Sequence, residues 1–428
     1  MSGVFPCVCG AVLSVVVSSV AIAQEMVSLS LDQVETLFYA HNLDRAFHLQ
    51  ETTRLKGLAN DFKAFPNPAL SVYREGHSNG GPPYSETVIS LRQEVEIYGQ
   101  PSLRSRVASD EIAAADGQFR QDELVLLNTL KAEYVALLFL HYKRTTQHNT
   151  LEALRRTYAT AQNRQSEGEI SGFEAQRFAL DLGVYEQIVV NTDIEYESRL
   201  SALLVSLGGS LAVGLDSASL PFIAERVQLS DSLTFRAIDL SPVDAERLAL
   251  EHRRDLQGAN RLLDATGRRR TIVRRNRLPQ WALEAGFKRQ IDGTQGYVAG
   301  ASFSLPLFNQ NRGAIQSSEA RHSQQETILS RLRSKIKLEV HTASYAVKAL
   351  AAQWKSLQTL TLSPTMRDVA WLSYSEGQLT LLEWLDAVQA SNSATLLRAS
   401  ILADYNRKLI DLDTAMGGAL FQNEDERR

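Results

Sequence analysis

Two periodicities alternate along this chain. In TVISLRQEVEI (87–97), Ile89, Leu91, Val95 and Ile97 fall on one side of an extended backbone, with Ser90, Arg92, Glu94 and Glu96 on the other. A period of two is that of a strand with one apolar face. In WALEAGFK (281–288), Trp281, Leu283, Ala285 and Phe287 alternate with Glu284 and Lys288. In GYVAGASFSLPL (296–307), Tyr297, Ala299, Ala301, Phe303, Leu305 and Leu307 share a face opposite Gly300, Ser302 and Ser304. The pattern predicts strand pairs at about 69–76 with 86–97 and about 281–289 with 296–307, joined by Gly/Pro/Ser-rich loops. Each strand is roughly 9–11 residues, the length of a tilted membrane-crossing β-strand. A soluble sheet with one wet face is the commoner source of such alternation. Four strands also cannot close a barrel alone, and open edges are forbidden in a membrane. Several identical subunits together would close one.

Elsewhere the period is helical. From Pro101 to Glu167 there is no further Pro and one Gly, Gly117, so a continuous helix would run about 100 Å at ~1.5 Å per residue. Asn311 to Glu376 matches it in length, with Pro364 as a kink or restart. Leu402, Tyr405, Leu409, Leu412 and Met416 keep the 3-4 spacing of a coiled-coil seam. Leu200, Leu203, Leu204 and Leu207 share a face.

The chain repeats itself. SEGEISGFE (166–174) recurs as SEGQLTLLE (375–383), FPNPAL (65–70) as LPQWAL (278–283), and residues 91–100 align with 301–310. The offsets are 209, 213 and 210 residues by subtraction of these numbers. A duplication is the reading. The nine-residue phrase spells a helical hairpin tip: Gly377 suits a left-handed helix end, and Thr380-x-x-Glu383 is a capping box opening the next helix. Leu379 and Trp384 are placed for a hydrophobic staple. Gly168, Ile170, Ser171 and Glu174 repeat the grammar. The predicted plan is a leader at 1–23, a first repeat at 24–208 with its tip at 166–174, and a linker of mixed structure at 209–240. A second repeat at 241–420 with its tip at 375–383 and a charged tail at 421–428 complete it. The fold class is mainly α with a small β part.

Charge and composition narrow the function. A net charge of −4 gives no electrostatic ground for nucleic-acid binding. The basic run GRRRTIVRRNR (267–277) reads as a solvated or lumenal helix face. Both cysteines, Cys7 and Cys9, lie in an apolar, small-residue-rich N-terminus that ends in AIA before Gln24, as a secretory signal does. No phosphate loop, nucleophile elbow or His-x-x-x-His is present, so neither enzyme nor cofactor is expected. His41 and His48 lie seven apart, on one face of a single helix, but two His make a weak metal site.

The residues so far resemble the TolC family of outer-membrane efflux proteins. YSEGQLTLLEWLDAVQA (374–390) is similar to the family's Tyr-x-x-Gly…Asp-x-Leu-x-Ala tip, and FSLPLFNQNRGAIQSSEAR (303–321) to its strand-to-helix junction. FPNPALSV and QEVEIYGQPSLRSR resemble the CzcC-like branch serving heavy-metal cation exporters, although Gly99-Gln100-Pro101 stands where that branch often has Gly-Gly-Lys-Arg. The resemblance implies a homotrimer with a 12-stranded barrel in the outer membrane of a Gram-negative bacterium. A helical tunnel would continue it through the periplasm. The partners implied are a periplasmic adaptor, an inner-membrane pump of RND type and outer-membrane lipid, with no nucleic acid. It also implies acidic residues at a periplasmic constriction, which fall on Glu383 and Asp386, with Glu174 and Arg177 as first-repeat counterparts. Capping alone also accounts for Glu383, and a solvated helix face for Arg177. Gly168, Ser171, Gly377 and Thr380 are the adaptor-contact candidates. Leu91, Val95, Ile97, Trp281, Leu283, Phe287, Phe303 and Leu305 are the candidates for the barrel's outward face. A one-step protein-secretion duct and a periplasmic coiled-coil adaptor are the alternatives.

Overall fold

The computed structural model describes residues 27–77, 84–208, 227–359 and 366–421. The leader, the loop between the first strands, most of the linker, Pro364 and the C-terminal tail lie outside these residues.

A short strand β1 (Val27–Leu29) leads into α1 (Leu31–His41) and α2 (Leu43–Lys63). Strands β2 (Ala69–His77) and β3 (Tyr84–Val95) follow, then α3 (Gln100–Ser166), which turns into α4 (Gly172–Ser206). The second half repeats the order: β4 (Val227–Leu229), α5 (Pro242–His252), α6 (Arg254–Arg275), β5 (Trp281–Gln290), β6 (Gln295–Phe303), α7 (Arg312–Thr359), α8 (Met366–Ser375) and α9 (Leu381–Ala415). Each half therefore opens on two helices ahead of its strand pair. The 67 residues of α3 span about 100 Å at ~1.5 Å each.

The halves meet at the waist. β1 and β4 pair in parallel, Val27 to Val227 through Leu29 to Leu229. Around them α3 contributes Leu127, Leu130, Tyr134, Leu137 and Leu138 to a core closed by Tyr196, Leu200, Leu203, Leu204 and Leu207 of α4. By composition, part of α3 is apolar enough to cross a membrane, yet 44% of that window is buried inside the protomer. Its apolar side is spent on this helix packing. Asp231 pins the waist, accepting from the Leu31 backbone N–H at 2.7 Å and from the Tyr134 hydroxyl at 3.0 Å. Beside it, buried Asp413 accepts from Asn128 Nδ2 and from the Leu420 N–H, both at 3.1 Å, tying α9 to α3. The α9 seam Leu402, Tyr405, Leu409, Leu412 and Met416 is buried.

On one side of the waist, α2, α6 and the first half of α3 lead to the sheet. Here α3 and α6 cross at Gly117 and Gly258. A Cβ on Gly117 would sit 2.5 Å from the Arg254 carbonyl, and one on Gly258 2.7 Å from that of Ala114. Only hydrogen fits between these backbones. The basic run, read from the sequence as a solvated or lumenal face, also ties α6 to its neighbours. Arg268 pairs with Asp110, Arg269 with Glu111 at 2.7 Å, and Arg274 with Glu319 at 2.5 Å, while Arg275 donates to the Tyr98 carbonyl. The run keeps a partly exposed face, and acids on two neighbouring helices pair with it. On the other side of the waist the helices run to the tips. The two His at 41 and 48 do not share a helix, because Asn42 ends α1 in an extended conformation and caps α2. Among the described residues no group of three metal-ligating side chains comes together.

Candidate functional site

The four longer strands form one antiparallel sheet in the order β2-β3-β5-β6. Register fixes its faces, since directly opposed residues point the same way. Ile89 is opposite Val72 and Phe287, Leu91 opposite Leu70 and Ala285, Val95 opposite Trp281, and Trp281 opposite Phe303. Phe287 is opposite Tyr297 and Leu283 opposite Ala301. The middle of this face is apolar, with Gln93 opposite Leu283 and with Arg74, Thr87 and Arg289 in line towards the loops, and Leu70, Val72, Ile89, Leu91, Leu283, Phe287, Tyr297 and Phe303 on it are exposed in the protomer. Aromatic pairs stand towards both its ends: Trp281 and Phe303 with rings 4.9 Å apart near the helices, Phe287 and Tyr297 towards the loops. Such pairs suit the two boundaries of a hydrocarbon layer.

The opposite face is polar and internally bonded. Ser71 and Ser90 hydroxyls lie 2.7 Å apart, and Ser90 donates to Glu284 at 2.6 Å. Glu86 accepts from Tyr84 at 3.0 Å, Lys288 at 3.2 Å and Gln290 at 3.0 Å. Gly286 lets the β3 backbone approach, since a Cβ there would meet the Ile89 carbonyl at 2.5 Å. Two proposed outward residues fall outside the ladder. The sequence pattern carries the strands to 97 and 307, but β3 ends at Val95 and β6 at Phe303. Ile97 and Leu305 therefore sit in the strand-to-helix junctions, exposed but unpaired.

The two tips lie side by side at the far end. Gly168 and Gly377 adopt φ of 81° and 79°, where a side chain would be strained. The Glu169 N–H donates to the Arg164 carbonyl at 2.8 Å and the Gln378 N–H to that of Ser373 at 2.8 Å. These six-to-one bonds make both turns Schellman motifs. Thr380 and Glu383 form a full capping box: the Thr380 hydroxyl accepts from the Glu383 N–H at 3.3 Å, and Glu383 Oε2 accepts from the Thr380 N–H at 2.8 Å. That backbone bond holds the Glu383 carboxyl below the usual carboxylate range. In the first tip the Ser171 hydroxyl accepts from the Glu174 N–H at 3.2 Å. Glu174 is half-buried, whereas Glu383, Asp386 and Arg177 are exposed. Within the protomer no ion pair joins Arg177 to Asp386.

What unites the tips was invisible at fixed spacing. Trp384 is fully buried against Phe178, Tyr374 and Trp371, with ring centroids 6.1, 6.1 and 6.0 Å away. Phe178 stacks on Tyr158 at 5.9 Å. Arg164 lies over the Tyr374 ring at 5.2 Å and donates to the Ser375 carbonyl at 3.1 Å, crossing from one hairpin to the other. The only local cue was Trp384 at the staple position, which named a partner within its own hairpin.

The protomer thus carries a sheet with two open edges and an exposed apolar patch, mounted on helices of this length. Residues 246–418 match the model of the outer membrane efflux protein family. Among solved structures, the chain is similar to CusC, with a TM-score of 0.74 at 16% identity over 90% of this chain and 92% of that one. A membrane protein from Pseudomonas aeruginosa gives a TM-score of 0.77 at 18% identity, covering 90% and 92%. The Campylobacter jejuni CmeC outer membrane channel gives 0.73 at 16%, covering 92% and 88%. No curated protein matches the chain. The family match thus covers the second half of the chain, and over nearly its whole length the chain shares the fold of these channels.

Proposed function

We propose that the protein is the passive exit duct of a tripartite efflux system. In this reading three copies close a twelve-stranded barrel in the outer membrane, and a periplasmic adaptor and an inner-membrane pump of RND type deliver the cargo. The observation that carries it is the sheet's incompleteness. In the protomer β2 and β6 each leave one edge unpaired over nine residues, while the middle of the face they share is apolar and exposed. In lipid every backbone group needs a partner, so the edges must be closed by other copies. The polar face then lines a water-filled lumen, and no catalytic constellation is required.

The tips supply the periplasmic mouth. Threefold symmetry would gather three copies of Asp386 and Glu383 into one ring, with Glu174 and Arg177 on the adjoining hairpins. A ring of carboxylates favours cations, which agrees with metal cations or other small toxic compounds as cargo. Gly168, Ser171, Gly377 and Thr380 form the chain reversals at that end and are the surface offered to the adaptor. Fractionation and gel migration test the reading. The protein should sediment with outer membranes and run as an oligomer that heating converts to monomer. A soluble periplasmic monomer sinks it.

A further inference from the structure

The apolar surface of the sheet does not stop where the strands stop. Past Phe303, Leu305 is 64% exposed, Leu307 68% and Phe308 101%. They lie in the junction 304–311, which is an ordered turn. The Ser304 N–H donates to the Gln280 carbonyl at 3.0 Å, and the Ser304 hydroxyl accepts from the Gln280 N–H at 3.0 Å. The Leu307 N–H donates to the Leu305 carbonyl at 2.8 Å. Asn309 Oδ1 accepts from the Asn311 N–H at 2.9 Å, and Asn311, with φ of 56°, donates its side chain to the Val273 carbonyl at 2.9 Å. The polar side chains thus bind the turn to its neighbours, and the large apolar ones face outward. This inverts the ordinary surface loop, and contiguous exposed apolar groups mark an interaction surface.

We propose that this turn is an interfacial lipid anchor, seated in the leaflet nearest the helices just below the barrel. Three features identify lipid as the occupant. The surface is continuous with the apolar face of β6, whose last residue, Phe303, stacks beside Trp281 at the strand ends. Aromatic and aliphatic groups of this kind settle at the boundary between headgroups and acyl chains. Exposed cations stand at the helix end of this strand pair, Arg277 just before β5 and Arg312 just after the turn, at the start of α7. Guanidinium groups at that level match lipid phosphates. The anchor fixes the depth of the barrel, so that the long helices leave the membrane at one height.

The inference rests on the barrel reading, and one experiment separates the two. The full-length protein carrying Phe308→Cys, labelled with an environment-sensitive fluorophore, is reconstituted into vesicles of phosphatidylethanolamine and phosphatidylglycerol. Phe287→Cys in the sheet and Phe173→Cys at the first tip serve as references. Spin-labelled lipids should quench the label at 308 most strongly when the nitroxide is shallow. They should quench the label at 287 with a deeper nitroxide, and leave the label at 173 bright. Quenching of 308 by aqueous iodide alone shows a solvated turn and overturns the anchor. Insensitivity of 308 to both quenchers shows a protein-covered turn and overturns it equally. Loss of lipid quenching at 287 defeats the barrel itself and the anchor with it.

Discussion

Glu383 shows how one side chain serves two arguments. Its carboxylate is committed to the Thr380 N–H at 2.8 Å, so it is first a cap. That bond depresses its pKa below the usual carboxylate value. A depressed folded-state pKa means the contribution is fully present above the carboxyl's ordinary range and is lost as pH falls through the depressed value. Amide hydrogen exchange at the second tip, corrected for intrinsic rates, should therefore show protection that falls in acid. Glu383→Gln should remove that acid dependence; a dependence left intact would assign it elsewhere. Thr380→Ala should loosen the same turn by about 0.5–2 kcal/mol. Asp386, one turn further and exposed, has no such commitment. Asp386→Ala is expected to raise single-channel conductance in planar bilayers and weaken block by divalent cations. Unchanged conductance and block would remove it from the constriction. Trp384 is the structural counterpart: Trp384→Ala should cost about 3–5 kcal/mol and separate the two hairpins, read as a lower thermal midpoint.

At the scale of elements, glycines of one type behave in opposite ways. Gly117 and Gly258 let the α3 and α6 backbones touch, so Gly258→Ala should destabilise by about 1–3 kcal/mol through overpacking. Gly183 in α4 has nothing within 4 Å of a Cβ position. Gly183→Ala should stabilise by roughly 0.5–1 kcal/mol, because only backbone entropy changes. A matching thermal shift in both variants would refute the close crossing. The sequence could place Gly117 in a long helix but not opposite Gly258, since 141 positions of chain separate them. The basic run at 267–277 had the same difficulty: its acids come from α3 and α7. Strand ends were misjudged for a related reason. Alternation continues through Ile97 and Leu305 because both stay at an apolar boundary, whereas the hydrogen-bonded ladder ends earlier.

At the scale of the whole molecule, neighbouring residues acquire opposite surroundings. Ile89 lies on the apolar face and Val88 on the polar one. In a closed barrel Ile89→Arg should cost about 2–4 kcal/mol at mid-membrane and reduce the heat-modifiable oligomer. Val88→Lys should assemble normally and alter only ion selectivity. Equal assembly of both variants would argue against a lipid-facing sheet.

The sequence by itself determined the local grammar. Period-two and period-3.6 patterns, left-handed glycines and a capping box act over a few residues, so they can be read in order along the chain. Duplication was legible for the same reason, as one grammar written twice. The tertiary structure alone decided what the repeats do to each other: the shared sheet, the Trp384 cluster joining the tips, the paired arginines and the outward turn at 304–308. Those contacts join residues far apart in sequence, and the identity of each partner is set by how the helices pack.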